Sequence, residues 1–209
     1  MVKATKTARD AEYFLALQTQ TGWGRVLDRF GAWIGICDGW LTLDVGCGPG
    51  LLPGLLSQKG ARAFGIDLAP KMFSPTQLHP DLALANVFHL PFSSLSFDLI
   101  TASNLLFLLP EPGVALQEMT RLVKINGKIA LLNPSEILTV SAASKLADQR
   151  GLDGFARETL LNWAARAEAN YRWTKDDLIS LFEGAGLTLD KTETIMGPGF
   201  ARLALGVRK

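Results

Sequence analysis

The sequence predicts a doubly wound α/β domain built on a seven-stranded mixed sheet, and three observations carry that prediction. From Trp40 onward, short and nearly continuous apolar segments alternate with helix-spaced ones. The first of these segments runs straight into a turn with three glycines in five residues, Gly46 to Gly50. The chain also closes with two strand-like segments joined by only four residues, MGPG at 196–199. Apolar strands separated by helices belong to a parallel sheet covered on both faces. A four-residue link cannot cross between parallel strands, so it makes a hairpin and an antiparallel edge, with the last strand antiparallel.

The elements follow in order. Residues 8–35 place Tyr13, Phe14, Leu17, Val26, Leu27, Phe30 and Ile34 at helical spacing, and TGWG at 21–24 breaks them into two helices. Strands are expected at LTLDVG (41–46), ARAFGIDL (61–68), LALANV (82–87), FDLITAS (97–103) and KIALLNP (128–134), with helices between them at 50–59, 70–77 and 111–124. Residues 135–172 read as a helical insertion. In WTKDDLISLFEGAGL (173–187), Thr174 stands as an N-cap with Asp177 three residues on, and Gly184 and Gly186 end the helix. TLDKTETI (188–195) and FARLALGVR (200–208) are the final strands. The organisation expected is one domain: N-terminal helices or lid at 1–39, a ligand-binding core at 40–134, a helical cap insertion at 135–172, and a final helix and hairpin at 173–209.

Charge narrows the partners. Lys and Arg total 21 against 20 Asp and Glu. That balance gives no broad electrostatic case for nucleic acid or an anionic membrane. The longest apolar run, near LLFLLP at 105–110, is too short to span a bilayer, and the first residues lack an apolar signal core. Cys37 and Cys47 read as reduced thiols, because a disulfide would tie down the glycine turn. A cytoplasmic protein is expected. Two cysteines and two scattered histidines, His79 and His89, make no zinc pattern.

What can the glycine turn hold? At the carboxyl end of a first strand, Gly46 and Gly48 let the backbone approach a ligand without a Cβ in the way. The spacing G-C-G-P-G puts Leu51 where a dinucleotide site has its third glycine, and Pro49 removes a backbone N–H that a pyrophosphate would use. No Lys-Ser or Lys-Thr pair supplies a nucleotide P-loop. Asp67 closes the second strand 17 residues past Gly50, placed to accept hydrogen bonds from both hydroxyls of a ribose.

Four segments in this order, LDVGCGPG, GIDLAPKM, LPFSSLSFDLI (90–100) and EMTRLVKINGKIAL (118–131), resemble class I S-adenosylmethionine-dependent methyltransferases. The resemblance is to the small-molecule branch, the methyltransferase type 11-like proteins, and covers about residues 40–134. It implies a Rossmann-like fold and S-adenosyl-L-methionine as cofactor. It further implies that Asp44 and the turn Gly46, Cys47, Gly48 and Gly50 face the methionine part. Asp67 would hold the ribose, with Leu68 and Met72 beside the adenine. Asn86 stands where the family usually has Asp, and its amide oxygen can still accept the adenine amino group. Val87 would offer a backbone N–H to the ring, and Ser103 and Asn104 would lie beneath the methyl donor.

Two positions depart from the family pattern. Ile125-Asn126-Gly127 replaces Pro-Gly-Gly, with Asn tolerating the left-handed backbone of the turn. Where a His often follows strand four, this chain places Phe107. Methyl transfer needs little beyond in-line positioning and at most one base, so the lack of a triad does not exclude an enzyme.

The expected function is methyl transfer to a small molecule. A non-catalytic binder of the same cofactor and a nicotinamide-dependent oxidoreductase are the alternatives. Most large aromatics, Trp163 among them, read as packing residues. Trp23, beside Arg25 in the TGWGR hinge, is the candidate lid over the acceptor. Phe107 and Tyr171 join Trp23 and Arg25 as candidate substrate residues. Ile137, Leu138, Val140, Leu146, Phe155, Leu160, Leu161 and Trp163 exceed what a connector requires and suggest a cover over an acceptor that is partly apolar.

Overall fold

The computed structural model of the chain describes residues 11–73, 79 and 81–209. The helices are α1 (Ala11–Gln20), α2 (Trp23–Ile34), α3 (Leu51–Gln58), α4 (Pro112–Leu122), α5 (Val140–Gln149), α6 (Gly154–Glu168) and α7 (Lys175–Gly184). The strands are β1 (Leu41–Val45), β2 (Arg62–Asp67), β3 (Leu82–Leu84), β4 (Phe97–Ser103), β5 (Val123–Pro134), β6 (Leu187–Ile195) and β7 (Ala201–Arg208). They form one seven-stranded sheet in the order β3-β2-β1-β4-β5-β7-β6. β1 to β5 pair in parallel, and β7 runs antiparallel to both β5 and β6. The expected mixed, doubly wound sheet is the one observed.

Each face of the sheet has its own core, as a parallel sheet requires. One packs α2 and α3 against the strands through Leu27, Phe30, Ile34, Leu52, Leu56, Ala130 and Leu132. Their spacing in α2 is i, i+3 and i+7, one helical stripe turned inward. The other core gathers α4 and α7 with the insertion helices α5 and α6, through Leu116, Met119, Ala143, Ala147, Leu160, Ala164, Leu178 and Phe182. At the start of α7 both capping-box bonds form between Thr174 and Asp177.

Several boundaries differ from the sequence reading. The antiparallel strand is not at the edge. The chain lays β6 on the outside, and the short turn then returns β7 into the gap beside β5, where it pairs on both sides. Exposed Asp190 and Lys191 on β6 suit an edge strand, since charges there oppose pairing with other chains. β3 stops at Leu84, because the Asn86 side chain accepts the Phe88 N–H and turns the backbone. β5 begins five residues before the expected Lys128 and bends through Asn126, which takes the anticipated left-handed conformation at φ 62°. Of the helix expected at 70–77, the described part is a single 3-10 turn, Pro70–Met72, and residues 74–78 lie outside the described ones. The break in the N-terminal helices falls at residues 21–22, so Trp23 is the first residue of α2 rather than part of a loose hinge. Among the described residues, no helix is long and apolar enough to cross a membrane.

Candidate functional site

The glycine turn leaves β1 at its carboxyl end, where open α/β sheets take their ligands. Gly46, Gly48 and Gly50 adopt φ values of 75°, 54° and 93°, a region that side chains with a Cβ rarely enter. The turn is stitched to β2 by its backbone. The N–H groups of Gly46 and Cys47 donate to the Ile66 carbonyl at 2.8 and 2.9 Å. A Cβ added at Gly48 would meet nothing within 4 Å, so the turn opens there onto free space. At Gly46 the same atom would lie 3.1 Å from Leu105, whose side chain rests on the bare backbone from the segment after β4.

Asp67 is half-buried at the end of β2. Its Oδ2 accepts the Gly48 N–H at 3.0 Å, and its Oδ1 accepts the Ala69 N–H at 2.9 Å. One carboxylate therefore fixes both loops. Each oxygen retains a lone pair, which leaves acceptors for two hydroxyls. Asp44 lies deeper and is 2% exposed. Burial pushes its carboxyl up to about 7 against the bond its Oδ1 accepts from the Thr101 hydroxyl, and the Asp67 charge pushes in the same direction. A buried anion beside an open turn calls for a cationic partner. Cys47 is buried, and burial with the two nearby carboxylates raises its thiol pKa, so it is a packing residue and not a nucleophile.

Around the expected adenine position, Leu68 is 69% exposed while Met72 and Val87 are buried. Asn86 is exposed, with its amide oxygen turned back onto the Phe88 N–H at 3.0 Å. The brace under this loop is a pair that charge patterning alone did not single out. Glu118 accepts the Leu90 N–H and pairs with Arg121, which in turn donates to the carbonyls of Leu90 and Phe92. The Arg121 bond, with the Leu90 N–H adding to it, outweighs burial and holds the Glu118 carboxyl below its ordinary range. His79 is buried, and because its Nδ1 accepts the Asp81 N–H, its proton sits on Nε2, 3.2 Å from the Ser57 hydroxyl.

At the end of β4, Ser103 and Asn104 are half-buried. Asn104 takes a left-handed φ of 53°, and its N–H donates to the Leu132 carbonyl at 2.7 Å. Its Oδ1 accepts the indole N–H of Trp163 at 3.0 Å, reaching across from α6. Trp163 meets Trp23 edge to face, with ring centroids 5.3 Å apart. A second aromatic contact, Tyr13 with Phe155 at 5.6 Å, joins α1 to α6. The N-terminal helices and the insertion thus close on each other above the β4 end.

The structure brings Trp23 to this place, and with it Trp163, one of the apolar insertion positions expected to form a cover. Arg25 is exposed and makes no ion pair among those found for the described residues. Phe107 is 1% exposed, a core residue with no face for a ligand. Tyr171 stacks on Trp173 at 5.7 Å and lines a separate surface groove of about 390 Å³ with Leu108, Leu109, Pro110, Ala169 and Asn170. No residue of the glycine turn lines that groove. Among the described residues, no group of three or more His, Cys, Asp or Glu is placed to hold a metal ion.

Similarity to known proteins agrees with this geometry. Residues 43–131 match the family described as a methyltransferase domain. The ubiquinone biosynthesis O-methyltransferase of Paracidovorax citrulli is 39% identical over 95 residues, 41% of this chain and 40% of that protein. The protein of the same name from Pseudomonas fluorescens is 30% identical over 96 residues, 42% of this chain and 41% of that one. The matched segment thus spans less than half the length of these relatives. Among solved structures, a putative methyltransferase complexed with the Haloferax volcanii Trm112 methyltransferase activator aligns with a TM-score of 0.70 at 18% identity, covering 96% of this chain and 97% of that one. Magnesium protoporphyrin IX methyltransferase from Synechocystis PCC 6803 with bound S-adenosylhomocysteine aligns at 0.66 and 20% identity, covering 90% and 84%. The fold is therefore shared even where sequence has diverged. The segment from β1 into β5 thus matches a methyltransferase domain, and the whole seven-stranded fold is one shared with solved methyltransferase structures.

Proposed function

We propose that this chain transfers the methyl group of S-adenosylmethionine to an oxygen of a small, partly apolar acceptor. The observation that carries the reading is the Asp67 carboxylate, bonded to the Gly48 N–H beside open space and near enough to the buried Asp44 for its charge to act there. The residues fit the cofactor: Asp67 has acceptors for ribose hydroxyls, Asp44 offers an anion to its ammonium group, and Gly48 leaves backbone bare for its methionine part. When bound there, the cofactor supplies an activated methyl group.

The chain's part is positioning. Asn104, held by Leu132 and Trp163, fixes the edge of β4 where the acceptor meets the donor, and in-line placement supplies much of the acceleration. The segment 135–172 acts as a cap, clasped by Trp23, that excludes water from the reacting atoms. The relatives named as O-methyltransferases support an oxygen acceptor. A cytoplasmic setting is consistent with two unpaired cysteines.

Thermal unfolding with added ligand tests the assignment. S-adenosylhomocysteine at 100 times its dissociation constant adds roughly 2.7 kcal/mol of stability, which raises Tm measurably. A shift with NAD and none with S-adenosylhomocysteine would refute it.

A further inference from the structure

Asn133 is a polar residue without an explanation in the fold. It lies one residue before the end of β5 and is 2% exposed, yet both its Nδ2 and its Oδ1 lack a hydrogen-bond partner. A buried amide with neither end satisfied destabilises the native state, and such groups are rare. Two polar side chains flanking it are committed elsewhere. Arg202 is its cross-strand partner on β7, but that guanidinium binds both oxygens of Glu136 and the Trp173 carbonyl. Asn104 continues the neighbouring strand beside it, but spends its amide oxygen on Trp163.

Strand alternation gives the direction. Leu132 packs with the α2–α3 core, whereas Ile129 and Leu131 pack with the core of α5 and α6, so Asn133 shares the face of the insertion. It therefore sits at the carboxyl edge of the sheet, one strand from Asn104, beneath the helices that cover the site.

We infer that Asn133 is the polar anchor of the acceptor, binding a hydroxyl and a second oxygen next to it on an otherwise apolar ring. The inference rests on the methyl-transfer reading above. An amide offers one acceptor and one donor side by side. Oδ1 accepts a hydrogen bond from the acceptor's hydroxyl and Nδ2 donates to the adjacent oxygen, and the core on this face of the sheet, with Leu138, Leu160 and Ala164 among its members, has the polarity that suits the ring. Entry requires the helices of the insertion to lift, which breaks the Trp163–Asn104 bond and the Trp23–Trp163 contact and leaves the sheet intact.

The test uses the full chain, S-adenosylhomocysteine, catechol as the probe and toluene as the control without oxygen. In the wild-type protein, S-adenosylhomocysteine raises Tm, catechol adds a second increment, and toluene adds none. Asn133→Leu and Asn133→Ala keep the first increment and bind catechol about tenfold or more weakly, the equivalent of losing one to two hydrogen bonds. Asn133→Leu also melts at or above the wild-type temperature, because it removes an unsatisfied amide, whereas a structural role for Asn133 would lower it. A catechol increment undiminished in both variants overturns the assignment. So does a wild-type protein that responds to S-adenosylhomocysteine and not to catechol. No response to S-adenosylhomocysteine at all refutes the cofactor reading itself, and the anchor with it.

Discussion

The two halves of the site are held by different means. At the ends of β1 and β2 the cradle is backbone: three left-handed glycines, two N–H groups on the Ile66 carbonyl, and one carboxylate joining both loops. At the ends of β4 and β5 it is side chain: Asn104, Trp163, Trp23 and Asn133, drawn from four separate segments. The first half suits a ligand of fixed shape, since backbone geometry does not change when side chains are exchanged. The second half suits an acceptor that differs from one protein to another. Aromatic contacts between helices are also easier to part than sheet-anchored turns, so the same half is the one that can open.

The largest effect is expected from Asp67→Ala, which attacks the backbone half at its one side-chain support. Two hydrogen bonds to a charged acceptor, each worth about 1.5–3 kcal/mol, correspond to a loss of S-adenosylhomocysteine affinity of about 100-fold or more. Because the same carboxylate holds Gly48 and Ala69, Tm also falls. Titration calorimetry beside thermal unfolding checks both. Unchanged affinity with reduced stability would make Asp67 a loop support alone.

Asp44 gives the next effect, through pH. Its carboxyl is raised from the ordinary value to about 7 in the folded chain. Between about pH 4 and 7 the folded chain therefore holds a proton that the unfolded chain has released. The stability contributed by this proton is fully present below about pH 4 and is lost as pH rises to about 7. Cofactor affinity should run the opposite way. A cationic amino group needs the carboxylate, so S-adenosylhomocysteine binds more tightly as pH rises, by up to about tenfold per unit, and levels off above about pH 7. Calorimetry at about pH 6 in buffers of different ionisation enthalpy should show a released proton. Affinity that is flat across this window would remove Asp44 from that role.

Trp163→Phe is the smallest and most selective change. It deletes the indole N–H to Asn104 while retaining most of the ring contact with Trp23. A stability loss of about 1 kcal/mol, read by urea unfolding, is expected, with cofactor affinity within about twofold of wild type. A large loss of cofactor affinity would mean that the two halves are not separable.

The backbone half was legible in the sequence because its constraints are local. A glycine at a left-handed position and an aspartate closing the next strand leave their mark within a few residues. The left-handed Asn126 and the capping box at Thr174 were legible for the same reason. Other features were not local. The return of β7 into the gap beside β5, rather than to the edge, depends on which strand is already paired there. The burial of Phe107 and the removal of Tyr171 to another groove depend on how the segment after β4 lies under the insertion.

The meeting of Trp163 with Asn104 joins residues 59 positions apart. The isolation of Asn133 follows from neighbours that bond elsewhere. Sequence by itself determined the alternation of strands and helices and the left-handed glycine turn that follows β1, because hydrophobic period and backbone sterics act over short spans. Tertiary structure alone decided what stands over the end of β4 and which polar group beside it is left without a partner, because packing and hydrogen-bond satisfaction are set by residues distant in the chain.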